Sequence, residues 1–248
     1  MGYVLEARAL RKRFGDVQAV DGVDVTVGSG ERTALLGPNG AGKTTTLLML
    51  LGAITPDTGT IDIAGHRLPK GRSKAMEHVG FAAGYLPLPD RLKVREALGV
   101  FAGLYGVRHI DEAVQHALAR FKVEHLSERM CNELSSGQRT VVGIAKAICH
   151  QPALLVLDEP TASLDPDVAQ RVRAGLLDVC NDGTALLLTS HDMREVEQLC
   201  ERVTFLAGGK VVANASPADV AAQYGHDDLE GVFLHLAGVT IHDPELDL

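Results

Sequence analysis

Between Leu36 and Thr45 the chain reads Gly37-Pro38-Asn39-Gly40-Ala41-Gly42-Lys43-Thr44, and this run leaves few folds open. A short apolar run, Thr33 to Leu36, precedes it, and a helical pattern from about Lys43 to Leu51 follows, closed by Gly52. The spacing is G-x-x-x-x-G-K-[ST], in the strand, loop and helix setting that the motif requires. Glycines there let successive amides curl around a phosphate without Cβ clashes. The helix N-terminus adds partial positive charge. Lys43 is then placed to meet β- and γ-phosphates, and Thr44 to offer a hydroxyl to Mg2+. An ordinary glycine-rich turn is the bland reading, and the complete motif in its proper setting argues against it.

The rest of the pattern predicts an α/β fold. Val4 to Ala9 and Val20 to Val27 read as strands bounded by turns at Gly15-Asp16 and Gly28-Ser29-Gly30. Pro56 to Gly59 is a turn, with Ile61 and Ile63 alternating behind it. From about Lys93 to Leu134 the period becomes helical: Leu98, Phe101, Ala102 and Tyr105 share one face, as do Val114, Ala117, Leu118 and Phe121. Then come strand Ala153–Leu157, a helix over about 168–180, strand Ala185–Thr189, a helix over about 193–200 and strand Val203–Leu206. This alternation implies a mainly parallel sheet covered on both faces, with a helical lobe inserted. Leu229, Val232, Phe233 and Leu236 predict a last amphipathic helix, followed by an acidic tail.

A γ-phosphate site needs a metal ligand and an activated water. Asp158 ends an apolar strand and is placed to hold Mg2+, directly or through water. Glu159 beside it can take a proton from the attacking water. Alone, the pair would read equally well as a solvated loop start; the glycine loop upstream favours function. Between the two motifs lies Leu134-Ser135-Ser136-Gly137-Gln138. Ser135 and Gln138 make a capping box for the helix bearing Val141, Ile144, Ala145 and Ile148. The box does not account for Gly137, which bares amides in the first helical turn. A second bare helix start is a second phosphate surface, and with one ATP filling the first loop it suits an ATP held by another subunit.

Composition narrows the partners. The 248 residues are 46% hydrophobic, enough for a large core, and 24 basic against 32 acidic residues leave a net charge of −8. That balance argues against a general nucleic-acid binder. Cys131, Cys149, Cys180 and Cys200 show no zinc spacing and suit a reducing compartment. Met1 to Leu10 lacks a signal pattern, and no apolar run nears the roughly 18 residues of a membrane span. The expectation is a cytoplasmic protein whose membrane role, if it has one, comes through a partner.

Taken in order, Gly37–Thr44, Leu134–Gln138, Leu154–Glu159, Ser163-Leu164-Asp165 and Ser190-His191-Asp192 resemble the ATP-binding subunits of the ABC transporter family. The resemblance runs from Phe14 to about Leu236. It implies a P-loop NTPase (RecA-like) core, an N-terminal antiparallel β subdomain and an inserted helical subdomain. The ATP-binding domain would cover 2–221, with the lobe at about 85–140, and a short helix and tail would cover 222–248. By the same resemblance Phe14 stacks on adenine, although a lone Phe is commonly core. Gly37, Pro38, Asn39, Gly40, Ala41, Gly42, Lys43, Thr44 and Thr45 form the phosphate loop, and Thr44 and Asp158 attend the metal. Glu159 serves the lytic water and His191 the γ-phosphate. Ser135 and Gly137 touch the ATP of the opposite subunit, and Asp165 lies at the dimer interface. ATP, Mg2+, a second ATP-binding subunit and a membrane permease are the implied ligands and partners.

One departure stands out. Where the family commonly carries a metal-reaching Gln after the strand near Val79, alignment by length places Gly84, and no Gln or Glu lies between Gly80 and Arg95. Such versions, and the ending Asp227 to Leu234, resemble an exporter-like branch with a separate permease. Tyr85, Leu86 and Leu88, beside the helix of Phe101 and Tyr105, form an expected docking surface for a permease helix; the plainer alternative is that they close the lobe. Two other readings compete with the transporter. A soluble ABC-type ATPase of a non-transport complex would usually show paired cassettes or a long coiled coil, and a P-loop kinase has no use for Leu134–Gln138.

Overall fold

β1 (Tyr3–Phe14) and β2 (Val17–Gly28) form an antiparallel hairpin with a two-residue turn. The sequence pattern predicts the first strand only as far as Ala9, because alternation breaks there: Leu5 and Ala7 point inward, and so does Leu10. A register shift between Ala7 and Leu10, with Ala9 at φ 49°, absorbs the extra residue and lets the strand continue. Asp24 Oδ1 accepts the Ala9 amide at 2.6 Å, so the bulged backbone keeps a partner. The computed structural model describes residues 2–84, 86–162 and 164–241. Tyr85, Ser163 and the expected acidic tail lie outside the described residues.

After the hairpin come β3 (Arg32–Leu36), α1 (Lys43–Leu50), β4 (Thr58–Ile63), β5 (His66–Arg67), α2 (Arg72–Glu77) and β6 (Val79–Ala83). The helical lobe holds α3 (Val94–Leu104), α4 (Ile110–Arg120) and two short 3-10 turns, and leads into α5 (Ser136–Ile148). Next are β7 (Leu154–Asp158), α6 (Pro166–Asn181), β8 (Ala185–Thr189), α7 (Met193–Leu199), β9 (Arg202–Ala207) and β10 (Lys210–Ala215). α8 (Pro217–Gln223) and α9 (Leu229–Ile241) complete the described chain.

One sheet has the order β2-β1-β4-β5 and is antiparallel; the other has the order β10-β9-β3-β8-β7-β6 and is parallel apart from β10. This is the α/β architecture that the family resemblance implies. Both faces of the parallel sheet are buried. Leu155 and Leu157 of β7 join the cluster beneath the helices, while Leu154 and Val156 join the cluster under the antiparallel sheet and α1. Two buried faces explain why β7 and β8 read as unbroken apolar runs.

The parallel order brings the C-terminal ends of β3, β7 and β8 together on one edge, where α/β sheets hold ligands. At the other extreme of the chain, the division expected at 221/222 falls inside α8. Leu229, Val232 and Leu236 of α9 belong to the same buried cluster as Phe205 of β9.

Candidate nucleotide site

The loop from Gly37 to Gly42 is shaped by contacts that only glycine permits at two points. At Gly37 (φ 145°) a Cβ would run into the backbone carbonyl of Leu206, and at Gly42 (φ 96°) it would lie 2.5 Å from the carbonyl oxygen of Ala19. Neighbouring strands thus press the loop into its curve. Gly42 caps α1 with no side-chain acceptor, which leaves the first-turn amides to an external anion. Lys43 arches back over the loop, donating from Nζ to the carbonyls of Gly37 (2.5 Å) and Pro38 (3.1 Å). Burial pushes its pKa down, opposed by the charges of Glu159 and Asp158.

At the tip of β7, Asp158 pairs in register with Thr189 of β8. The Thr189 hydroxyl donates to Asp158 Oδ1 at 2.6 Å and accepts the Glu159 amide at 3.1 Å. Glu159 sits at φ 52°, in the left-handed region that side chains beyond glycine rarely occupy. That turn aims its carboxylate at the next loop. There His191 donates its amide to Oε2 at 3.2 Å and brings Nε2 to 3.3 Å from Oε1. Burial raises the pKa of Glu159, offset in part by His191. A partly buried carboxylate next to an imidazole has the chemistry of a general base. Thr44 and Asp158 supply hard oxygen donors suited to Mg2+, with Asp158 oriented from behind by Thr189.

The remaining residues named from the sequence fall into three places. Phe14 ends β1 with half its surface exposed and Lys12 Nζ 5.7 Å from its ring centre, so it is not core. Ser135 and Gln138 do form the capping box: the Gln138 amide donates to Ser135 Oγ (3.2 Å) and the Ser135 amide to Gln138 Oε1 (3.1 Å). Ser135 is exposed and Gly137 partly so, on α5, whose packing partners include α3, α4, β6 and β7. Within this chain they are not joined to the glycine loop by any described hydrogen bond. Asp165 is exposed at the N-cap of α6, with its side chain uncommitted to the cap.

The expected docking surface needs correction. Leu88 is 4% exposed and belongs to the buried core, so it offers little surface beyond the wall of the groove beside Leu86; Leu86 remains 38% exposed. Tyr105 stacks its ring on His150 with centroids 3.7 Å apart, which commits one face of it. Gly84 follows directly on Ala83, which pairs in register with Asp158 across β6 and β7.

Sequence reasoning missed the residues that brace this edge. Thr189 looked like a strand end, because its role depends on the cross-strand register. Glu195, 1% exposed on α7, accepts from Thr161 Oγ1 (2.6 Å) and Ser190 Oγ (3.0 Å), tying the loop after Glu159 to the loop of His191. An acid in a polar-looking helix start carries no signal of burial.

A family model described as ABC transporter matches residues 20–162. The chain is 38% identical over 232 residues to Nod factor export ATP-binding protein I of Burkholderia lata, covering 91% of this chain and 75% of that protein. It is 34% identical over 247 residues to the probable multidrug ABC transporter ATP-binding protein YbhF of Escherichia coli, covering 97% of this chain and 42% of that one. Among solved structures, an ATP-binding subunit of an ABC transporter superposes with a TM-score of 0.87 at 27% identity, over 94% of this chain and 99% of that chain. CbiO1 of Clostridium perfringens, part of the transporter complex CbiONQ, gives 0.81 at 28% identity, over 97% and 98%.

Proposed function

Because the chain belongs to the ABC transporter family as an ATP-binding subunit, we propose that it hydrolyses ATP to drive a separate membrane permease, in the direction of export. The observation that carries this reading is the contact of Glu159, just past the end of β7, with both the amide and the imidazole of His191 in the loop after β8. In this reading Phe14 stacks on adenine and residues 37–45 hold the phosphates. Mg2+, when bound by Thr44 and Asp158, neutralises charge on the phosphate oxygens. Glu159 takes the proton of the attacking water, and His191 steadies that water and the γ-phosphate.

Ser135 makes its described side-chain hydrogen bond to Gln138 of α5, leaving the exposed start of that helix free for a pair of subunits with two ATP molecules between them. The second subunit is another copy or a related chain, and Asp165 lies at the interface. Among the described residues no helix is long and apolar enough to cross a membrane, so the subunit would sit on the cytoplasmic face through its permease. The export direction draws support from the relatives named for Nod factor export and multidrug transport.

Glu159→Gln tests the reading. It should bind ATP yet turn it over at least about 100-fold more slowly, and with Mg-ATP it should elute as a dimer in size-exclusion chromatography. Lys43→Ala, lacking the one cation of the loop, should abolish both ATP binding and that dimer. A Glu159→Gln protein that hydrolyses ATP at the parent rate would overturn the assignment of the base.

A further inference from the structure

α9 is built against the loop that carries His191. Its Leu229 and Val232 are fully buried, and the Leu229 amide donates to Glu197 Oε1 of α7 at 2.7 Å. α7 itself starts two residues after His191. Asp228 Oδ1 accepts the Gly231 amide at 2.9 Å, closing the first turn of α9. The start of α9 and the start of α7 therefore form one rigid block.

Phe233 projects from that block onto the imidazole. Its ring lies edge-to-face with His191, centroids 6.3 Å apart at 84°, and it is backed by Phe205 of β9 at 6.4 Å. Phe205 is fully buried. A continuous line runs from the core through Phe205 and Phe233 to His191 and on to Glu159. The imidazole is more than half exposed, and among the described residues its polar contact is the one that Nε2 makes with Glu159. Held at the tip alone, such a ring would swing about its χ angles. An aromatic neighbour at a right angle favours one orientation.

We infer that Phe233 is a positioning residue for His191, so that the C-terminal helix sets the ring orientation used at the γ-phosphate. The inference rests on the proposed role of His191 in ATP hydrolysis. The matched family segment ends at residue 162, so α9 receives no role from it. Phe233 does not touch the reacting atoms; it acts through the imidazole.

A double-mutant cycle separates positioning from packing. Phe233→Leu keeps apolar bulk and removes the ring. Basal ATPase kcat should fall about three- to tenfold, the range of about 0.6–1.4 kcal/mol of barrier, with KM within about twofold. Phe233→Tyr should restore the parent kcat. In a His191→Ala background, followed by single-turnover release of labelled phosphate, Phe233→Leu should change the rate by less than about 1.5-fold. Equal losses in both backgrounds would reduce Phe233 to packing and overturn the inference, as would an unchanged kcat in Phe233→Leu beside a strongly impaired His191→Ala. Full activity in His191→Ala would instead remove the role of His191, and this inference with it. Phe233→Met, flexible and apolar, replaces Phe233→Leu in the same comparison if the leucine protein does not fold.

Discussion

Thr189 donates its hydroxyl to Asp158 Oδ1 across the register of β8 and β7, at 2.6 Å, from a position 1% exposed to solvent. The bond commits one carboxylate oxygen of Asp158 to the protein. Thr189→Val keeps the shape and deletes the donor. A hydrogen bond to a charged group is worth about 1.5–3 kcal/mol, and partners of metal ligands commonly carry about 10- to 100-fold in affinity or activity. The Mg2+ concentration for half-maximal ATPase should therefore rise about tenfold or more, measured at fixed excess ATP. An unchanged Mg2+ requirement would separate Asp158 from the metal.

Burial raises the pKa of Glu159, and the sign of that shift makes a stability prediction. A carboxyl whose folded pKa exceeds its unfolded value, about 4.3 for Glu, favours the folded state below the unfolded pKa. That contribution is lost as pH rises through the folded pKa. At neutral pH the ionised group is thus a burden that glutamine lacks. Without nucleotide, the melting temperature of Glu159→Gln relative to the parent should be higher at pH 7.5 than at pH 4. A difference that does not change with pH would mean that the carboxylate is solvated in the apo protein.

The sequence was most legible where local chemistry and position coincide. The glycine loop required a strand before it and a helix after it, and the buried strands betrayed themselves by unbroken apolar runs. Legibility failed where the cause was remote or weak. α2 buries only Ala75 among its six residues, so no periodicity marked it. β10 is an edge strand with Ala213 alone buried, and its pattern resembles a loop. α8 did carry a readable start, since Ser216 caps it through the Asp219 amide at 3.2 Å with Pro217 in the first turn, and the signal went unused. The Thr189 and Glu195 contacts depend on strand register and on loops some thirty residues apart, which no local pattern contains.

Leu86 tests whether this face docks the proposed permease. It rims a groove of about 220 Å³ that is also lined by Ala83, Gly84, Arg139 and Lys146, and Val100 and Leu104 add exposed apolar surface on α3. Clustered exposed apolar side chains mark interaction sites more often than scattered ones do. Leu86→Asp should release the protein from membranes that contain its permease and leave the basal rate within about twofold, since the aspartate would desolvate poorly in an apolar contact. Loss of basal activity together with membrane release would show that Leu86 serves the fold of the lobe instead.

Gly84 lies one residue beyond the Ala83–Asp158 pair, where the family resemblance leads one to expect a glutamine that reaches the metal. A Cβ built there meets no heavy atom within 4 Å, and the backbone angle suits any residue. Gly84→Gln should consequently fold like the parent. If the natural site works without the amide, water fills the place of one neutral ligand in the octahedral shell. The deficit is then about 1–2 kcal/mol, on the scale of a neutral hydrogen bond, or about tenfold in rate. Restoring the side chain should change basal ATPase by less than about tenfold, a small effect beside removal of the Glu159 carboxylate. Because residue 84 also lines the groove of Leu86, the permease-stimulated rate should respond more than the basal rate. The measurement is both rates for parent and variant, with and without reconstituted permease. A basal gain of about a hundredfold, about 2.7 kcal/mol of barrier, would show that glycine cripples the natural site, and the proposal of an active ATPase would fall.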